Sequence, residues 1–226
     1  MQKRKLPQEL AWLLGILIVT LGVRLVAKSS LGVSMVVAPA YILSQKLGIS
    51  FGVAEYLFQG LLFLLVCLLT RSFQVSDLFT VVTVLFYGAV LDGWTWLLRD
   101  WAPAGLPARV LALVLGAALT ALGIAFMFRA YLSPQAYELF VKSISKKIGM
   151  PMEKFKMLYD VSSLALSVLL ALILFGGFRS GGDWLIGVGT VYCTLSNSLL
   201  ITLSGKLLDR FFRFDAAFPG LERRFR

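Results

Sequence analysis

Six apolar runs, each long enough to cross a bilayer, constrain this chain more than any other feature of its 226 residues. A spanning helix needs roughly 20 mostly apolar residues, because about 30 Å of hydrocarbon is covered at about 1.5 Å per residue. Runs at 10–26, 51–70, 78–98, 108–128, 158–178 and 184–208 answer to that length. Their apolar character is continuous rather than alternating, so helices are expected and β-barrel strands are not. Only 15% of residues are charged and 58% are hydrophobic. A soluble domain carries roughly a quarter charged residues, so lipid has to solvate most of this surface. The MQKRK start looks like a signal n-region, but the apolar stretch behind it is long and lacks a small-residue cleavage site. An uncleaved first span is expected.

The net charge of +10 would suggest nucleic acid in a soluble protein. Here the positive-inside rule accounts for it, and nucleic-acid binding is not expected. Lys3, Arg4, Lys5, Lys206, Arg210, Arg213, Arg223, Arg224 and Arg226 hold nine of the 22 basic residues near the two ends. Both termini are therefore expected in the cytoplasm, which requires an even number of spans. Cys67 and Cys193 sit inside apolar runs and the chain has no histidine. Neither a disulfide framework nor a zinc site is supported, and no cofactor is expected.

The chain reads as two related halves. GILIVTLGV at 15–23 matches GAALTALGI at 116–124, and LSQKLGIS at 43–50 matches ISKKIGMP at 144–151, both at an offset of 101. The expected fold is an all-α polytopic bundle with a two-fold internal repeat, six long spans plus two short helices. Residues 1–100 form the first repeat, 101–107 (WAPAGLP) the connecting loop, 108–209 the second repeat and 210–226 a basic cytoplasmic tail. The short elements lie at 33–47 and 134–148, and the second is amphipathic. If both cross, eight helices form two parallel halves. If both are interfacial or re-entrant, six spans form two halves of opposite orientation, and transporters of both styles exist. The charge tally is eight inside against five outside for eight crossings and seven against six for six crossings. It favours eight.

Acids at membrane depth are costly, roughly 2.5–3.5 kcal/mol on insertion scales, and so are functional candidates. Glu55, Asp92, Glu138 and Asp160 qualify, Asp160 first among them. At the 101 offset Gln59 coincides with Asp160, which places both at the interface where repeat transporters bind substrate. Asn197 falls opposite Asp92 at a slightly larger offset. Arg24 and Arg129 lie near span ends, where snorkelling or pairing with an acid or an anionic substrate would account for them. Placement at helix N-termini would equally explain Glu55 and Asp160 as structural residues. No Walker loop, HExxH or GxSxG occurs, so ATPase and common hydrolase chemistry are not supported.

LGVS at 31–34, KLGISFGVAEYLFQG at 46–60, LFYGAVLDG at 85–93, YLSPQAYELFVKSIS at 131–145, MLYDVSS at 157–163 and GVGTV at 187–191 resemble the YczE/YyaS/YitT family of bacterial membrane proteins. Where that family commonly carries Pro-Trp-Asp, this chain has Ser34-Met35-Val36, which marks a divergent branch. The resemblance implies a bacterial cytoplasmic-membrane protein of about five or six spans, and no substrate. A secondary transporter or exporter of an unidentified small molecule, proton-coupled through Asp160, Glu55 or Glu138, is the leading expectation, since desolvated carboxylates neutralise. A cationic or neutral substrate would suit an acid-lined path. A non-transporting scaffold or accessory subunit is the alternative, docking lipid or a partner through its basic tail. An intramembrane enzyme is not expected, because no nucleophile–base pair is visible. The expected partners are the bilayer, that small molecule and, as an option, a second copy of the chain.

Overall fold

The protein, a computed structural model, is described over residues 4–70, 75–132, 135–220 and 222. Lys3, Arg71, Pro134, Arg223, Arg224 and Arg226 of the sequence reading lie outside the described residues. The order of elements is β1 (Arg4–Pro7), α1 (Gln8–Lys28), α2 (Ala38–Leu47), α3 (Phe51–Thr70), α4 (Val75–Leu97), α5 (Gly105–Met127), α6 (Ala136–Ile148), α7 (Met152–Phe175), β2 (Arg179–Ser180), β3 (Asp183–Trp184), α8 (Val188–Phe211) and β4 (Phe212–Asp215). Among the described residues five helices, α1, α3, α4, α5 and α7, are long and apolar enough to cross a membrane. The sixth expected run differs. α8 has 24 residues, but Thr, Ser and Asn interrupt its apolar sequence. Its expected start at 184 is also displaced, because residues 179–184 form a small hairpin turned by Gly181 and Gly182 at positive φ. The first short element begins at Ala38 rather than 33, with Pro39 in its first turn, where the missing N–H costs nothing.

The tightest packing is the crossing of α1 and α5. A Cβ on Gly22 would fall 2.4 Å from Thr120 N and 2.6 Å from Gly116 O; one on Gly15 would fall 2.9 Å from Gly123 O. Small residues let two apolar helices approach at backbone distance where lipid offers no hydrophobic drive. Gly15 meets Gly123 and Gly22 meets Gly116, so α1 and α5 run antiparallel.

Other contacts set the remaining directions. Trp94 Nε1 donates to Leu17 O at 3.2 Å and Lys28 Nζ to Arg99 O at 2.9 Å, so α4 runs parallel to α1. Arg129 reaches Gly205 O and Asp209 from the end of α5, so α8 runs parallel to α5. α3 turns back along α4, with Gly52 against Gly88 and Asp92. α2 runs alongside α7, from Met35–Ser163 to Lys46–Leu174, and α6 alongside α3, from Gln59–Ala136 to Leu69–Lys147. α7 lies against α2 and α6, and α8 against α5, without extensive contact between α7 and α8 themselves.

One end of the bundle, called here the terminal end, gathers both chain ends. β1 pairs in parallel with β4. The Glu9 carboxylate accepts from Tyr131 OH at 2.7 Å, Ala217 N–H at 3.0 Å and Phe218 N–H at 3.1 Å. α2 therefore finishes at the far end with α1, and α6 finishes at the terminal end with α5. Both short helices begin inside the bundle. At 10 and 13 residues, they are about 15 and 20 Å long. The outer faces remain apolar: Leu57, Leu61, Leu64 and Leu68 on α3 and Leu195 and Leu199 on α8 are all more than half exposed.

Gly22→Val is expected to destabilise the fold by about 1–3 kcal/mol, the usual cost of overpacking, read as a lower Tm in detergent. Gly60→Ala, where an added Cβ meets nothing within 4 Å, should leave Tm unchanged or raise it. At the terminal clasp, burial, followed by the neighbouring Glu9 carboxylate, pushes the Tyr131 phenol up from 10.0 to about 12. Its raised value means that its contribution is fully present below pH 10.0 and is lost as pH rises through about 12. Ultraviolet titration of Tyr131→Phe against the parent should remove one phenol that ionises near the top of that window.

Candidate functional site

Glu55 and Gln59 stand one turn apart on the inner face of α3, the spacing that brings i and i+4 side chains together. Gln59 Nε2 donates to Glu55 Oε2 at 3.0 Å, and Gln59 Oε1 accepts from Ala136 N–H at 3.2 Å. Because a backbone N–H only donates, this second bond fixes the amide with its NH₂ toward Glu55. Glu55 is 2% exposed and Gln59 3%. The other carboxyl oxygen, Glu55 Oε1, has no partner. Burial penalises that arrangement unless a proton or ligand completes it.

The start of α6 completes one wall. Ala136 opens the helix, Gln135 precedes it, and Tyr137 OH donates to Glu138 Oε1 at 3.0 Å. From α7 the Tyr159 ring stacks on Tyr137, with centroids 6.1 Å apart and 18° between planes. Tyr159 OH, like Glu55 Oε1, has no partner. Glu55, Gln59, Gln135, Tyr137, Tyr159 and Val36 line one small cavity. Val36 lies two residues before α2 and Gln135 immediately before α6, so the two short helices open on the same space from opposite directions. The cavity measures about 10 Å³, enough for about one water. Helix N-termini carry roughly half a positive charge each, and the first N–H of α6 bonds Gln59, the side chain that in turn bonds Glu55. A second cavity of about 200 Å³ lies on the terminal side of Tyr137, lined by Tyr137, Glu138, Val141, Lys142, Met152 and Lys156, with Phe128 at its edge. Tyr137 is the side chain shared by both.

The structure thus joins Glu55, Gln59 and Glu138. Asp160 lies beside them on α7, within electrostatic range of Tyr137 and Tyr159, with Oδ1 unpartnered. The other candidates stand elsewhere. Asp92 accepts from Ser50 Oγ at 2.5 Å and Gly52 N–H at 2.7 Å, which caps α3 and ties it to α4. Asn197 lines a separate narrow cavity between α1, α5 and α8 with Ser34, Thr120 and Cys193. Arg129 forks onto Asp209 at 2.7 and 2.6 Å and bonds Ala125 O and Gly205 O, so it clamps α5 to α8. Arg24 is half-buried toward Tyr41 and Asp92, and its Nε has no partner. Gln135, Tyr137 and Tyr159 are the site residues that the sequence reading did not select. The signal available was adjacency, with Tyr137 next to Glu138 and Tyr159 next to Asp160. Among the described residues no cluster of three metal-ligating side chains occurs.

These helices define a multi-pass membrane-type protein. The chain belongs to the family of unknown function DUF6198, whose model matches residues 6–206. No curated protein and no solved structure matches it.

Gln59→Leu removes the one group that serves both Ala136 N–H and Glu55 Oε2. Each orphaned buried group costs about 1–3 kcal/mol, so a Tm drop is expected, larger than that of Asn197→Leu in the separate cavity.

Proposed function

We propose that this chain is a proton-coupled secondary transporter or exporter of a small molecule, built as six spans in two inverted halves. The observation that carries the reading is the convergence of two short, interrupted helices on a buried acid. Discontinuous helices whose N-termini meet near the midplane at a repeat interface are the usual site of substrate and coupling ion. The antiparallel α1–α5 crossing supports inverted halves over the eight-crossing, parallel arrangement that the charge tally favours. Gly15 with Gly116 and Gly22 with Gly123 carry the 101-residue offset into that crossing, which supports an internal duplication. In this reading α2 and α6 enter from opposite sides and neither crosses. The boundaries of the two repeats and the cytoplasmic location of both termini, in a bacterial inner membrane, belong to the same proposal. So does membership of the YczE/YyaS/YitT group in particular.

The roles follow from placement. Glu138 meets protons from the terminal-end cavity, Tyr137 stands between the cavities, and Glu55, held by Gln59, is the inner acceptor. Asp160 lies beside this path. Reconstituted into proteoliposomes, the chain should move at least one compound of a metabolite panel, faster with a pH gradient than without. Glu55→Gln and Glu138→Gln should lower that flux about tenfold or more and abolish its dependence on the gradient, and Asp160→Asn should weaken it. Unchanged flux in all three variants would remove the carboxylate mechanism. No flux of any compound would favour the scaffold or accessory role.

A further inference from the structure

The larger cavity, between α6 and the start of α7, has an almost wholly apolar lining. Val141 in that lining is buried, whereas Met152 and Phe128 are 49% and 51% exposed. The space therefore runs from the interior to the outer surface of the bundle. Lys142 and Lys156 also line it. In so apolar a wall they contribute their aliphatic stems, as lysines do when the charged head reaches away from apolar surface. Apolar cavities stay dry, and roughly 150 Å³ of such space holds a benzene-sized group. At about 200 Å³, this cavity suits an alkyl segment of similar or greater bulk and not a polar solute.

The same two helices are strongly basic outside the cavity. Residues 142–156 carry five lysines and one acid. Lys147 Nζ donates to Leu69 O, and Lys156 stands within electrostatic range of Glu138 and Asp160. Lys142, Lys146 and Lys154 are exposed, and the ion pairs among the described residues join other side chains. α6 ends and α7 begins at the terminal end of the bundle, joined through Gly149 at φ +70. These three lysines thus gather on either side of one turn, with Met152 of the cavity between them in sequence.

We infer that the cavity and this turn together hold an anionic phospholipid, an acyl segment in the cavity and the phosphate headgroup among Lys142, Lys146 and Lys154. A free anion would leave the apolar space unfilled, and a neutral lipid would leave the lysines without a counter-charge. Lipid tails are as apolar as the side chains that would receive them, so selection between lipids falls to charge, which draws anionic headgroups to clustered lysines at a membrane surface. The inference does not depend on transport. Glu138 shares the cavity, so a seated acyl segment would cover the entrance that the transport reading gives to protons, and the two would take turns there.

Lipid retention by the full chain in detergent, followed by native mass spectrometry, tests the site. The probes are phosphatidylglycerol and phosphatidylcholine with identical acyl chains, and glycerophosphoglycerol, the headgroup without chains. Phosphatidylglycerol should bind about tenfold more tightly than phosphatidylcholine or better, and glycerophosphoglycerol should not be retained. Replacing Lys142, Lys146 and Lys154 together by Gln should bring phosphatidylglycerol down to the level of phosphatidylcholine. Lys206→Gln with Arg210→Gln, exposed on α8 at the same end, should leave the preference in place. Met152→Trp, which fills the half-exposed mouth, should weaken phosphatidylglycerol binding while the triple lysine variant keeps the parent's Tm. Equal binding of the two lipids, retention of glycerophosphoglycerol, a preference that survives the triple variant or falls as far in the α8 variant, or full binding by Met152→Trp would overturn the proposal. Because retention is read without a gradient or a flux, its failure leaves the transport reading standing, and absence of flux leaves the lipid site standing.

Discussion

The antiparallel crossing of α1 and α5 is the contact on which the arrangement of the other helices depends. Four glycines place two backbones where any side chain would collide with a carbonyl or amide of the partner. Once these two helices are fixed, α4 follows α1 and α8 follows α5. The short helices are then left to fill the space between them. In lipid this close approach is favoured because small residues maximise dispersion contact where no hydrophobic difference between protein and solvent remains.

A short helix inside a membrane creates a problem for the backbone that leads into it. Non-helical chain at that depth is tolerated only where protein satisfies it. The segment before α2 meets that condition: Val33 N–H bonds Leu185 O, Ser163 Oγ donates to Met35 O, and Gly189 N–H bonds Leu31 O. The 179–187 region and the start of α8 therefore wall the segment that leads into α2. Gly32, at φ +106 against Gly187 and Thr190, is where the chain turns inward with no room for a side chain. The helices are not equally closely packed throughout, however. α3 and α4 seal through Gly52 and Gly88, whereas α7 and α8 stand without extensive contact. The larger cavity lies on the α7 side, at the terminal end.

Much of this was legible in the sequence, and the reasons for the rest are physical. Continuous apolar runs announce α1, α3, α4, α5 and α7 because length and hydropathy report directly on the solvent. α8 was legible as a span only until its Thr, Ser and Asn content is weighed, and its N-terminal boundary was hidden by the glycine-turned hairpin before it. Glu55 and Gln59 stand out separately in the sequence, one as a membrane acid and the other as the repeat counterpart of Asp160; their i, i+4 bond comes from the structure. Their joining to Ala136, Tyr137 and Tyr159 was not legible, because those contacts bridge nearly 80 residues or more and depend on the direction of α6. Charge counting does not report on that direction: a tally of eight to five against seven to six turns on a few loop residues, while the glycine contacts fix how α1 faces α5. Asp92, a functional candidate in the sequence, bonds Ser50 and Gly52 at the start of α3, and Arg129, for which pairing with an acid is one of the expected accounts, pairs with Asp209.

The central claim is that the two short helices enter from opposite faces, and the side from which their ends can be reached tests it most directly. Lys46 and Lys147 lie in the last turns of α2 and α6 and are both exposed. Single cysteines at these positions, in a chain with Cys67 and Cys193 replaced, can be labelled in intact cells with a membrane-impermeant maleimide, before and after permeabilisation. Inverted halves predict that Lys46→Cys reacts from outside and Lys147→Cys only once the cytoplasm is opened. Reaction of both from the same side would contradict that architecture and return the protein to two parallel halves of four crossings.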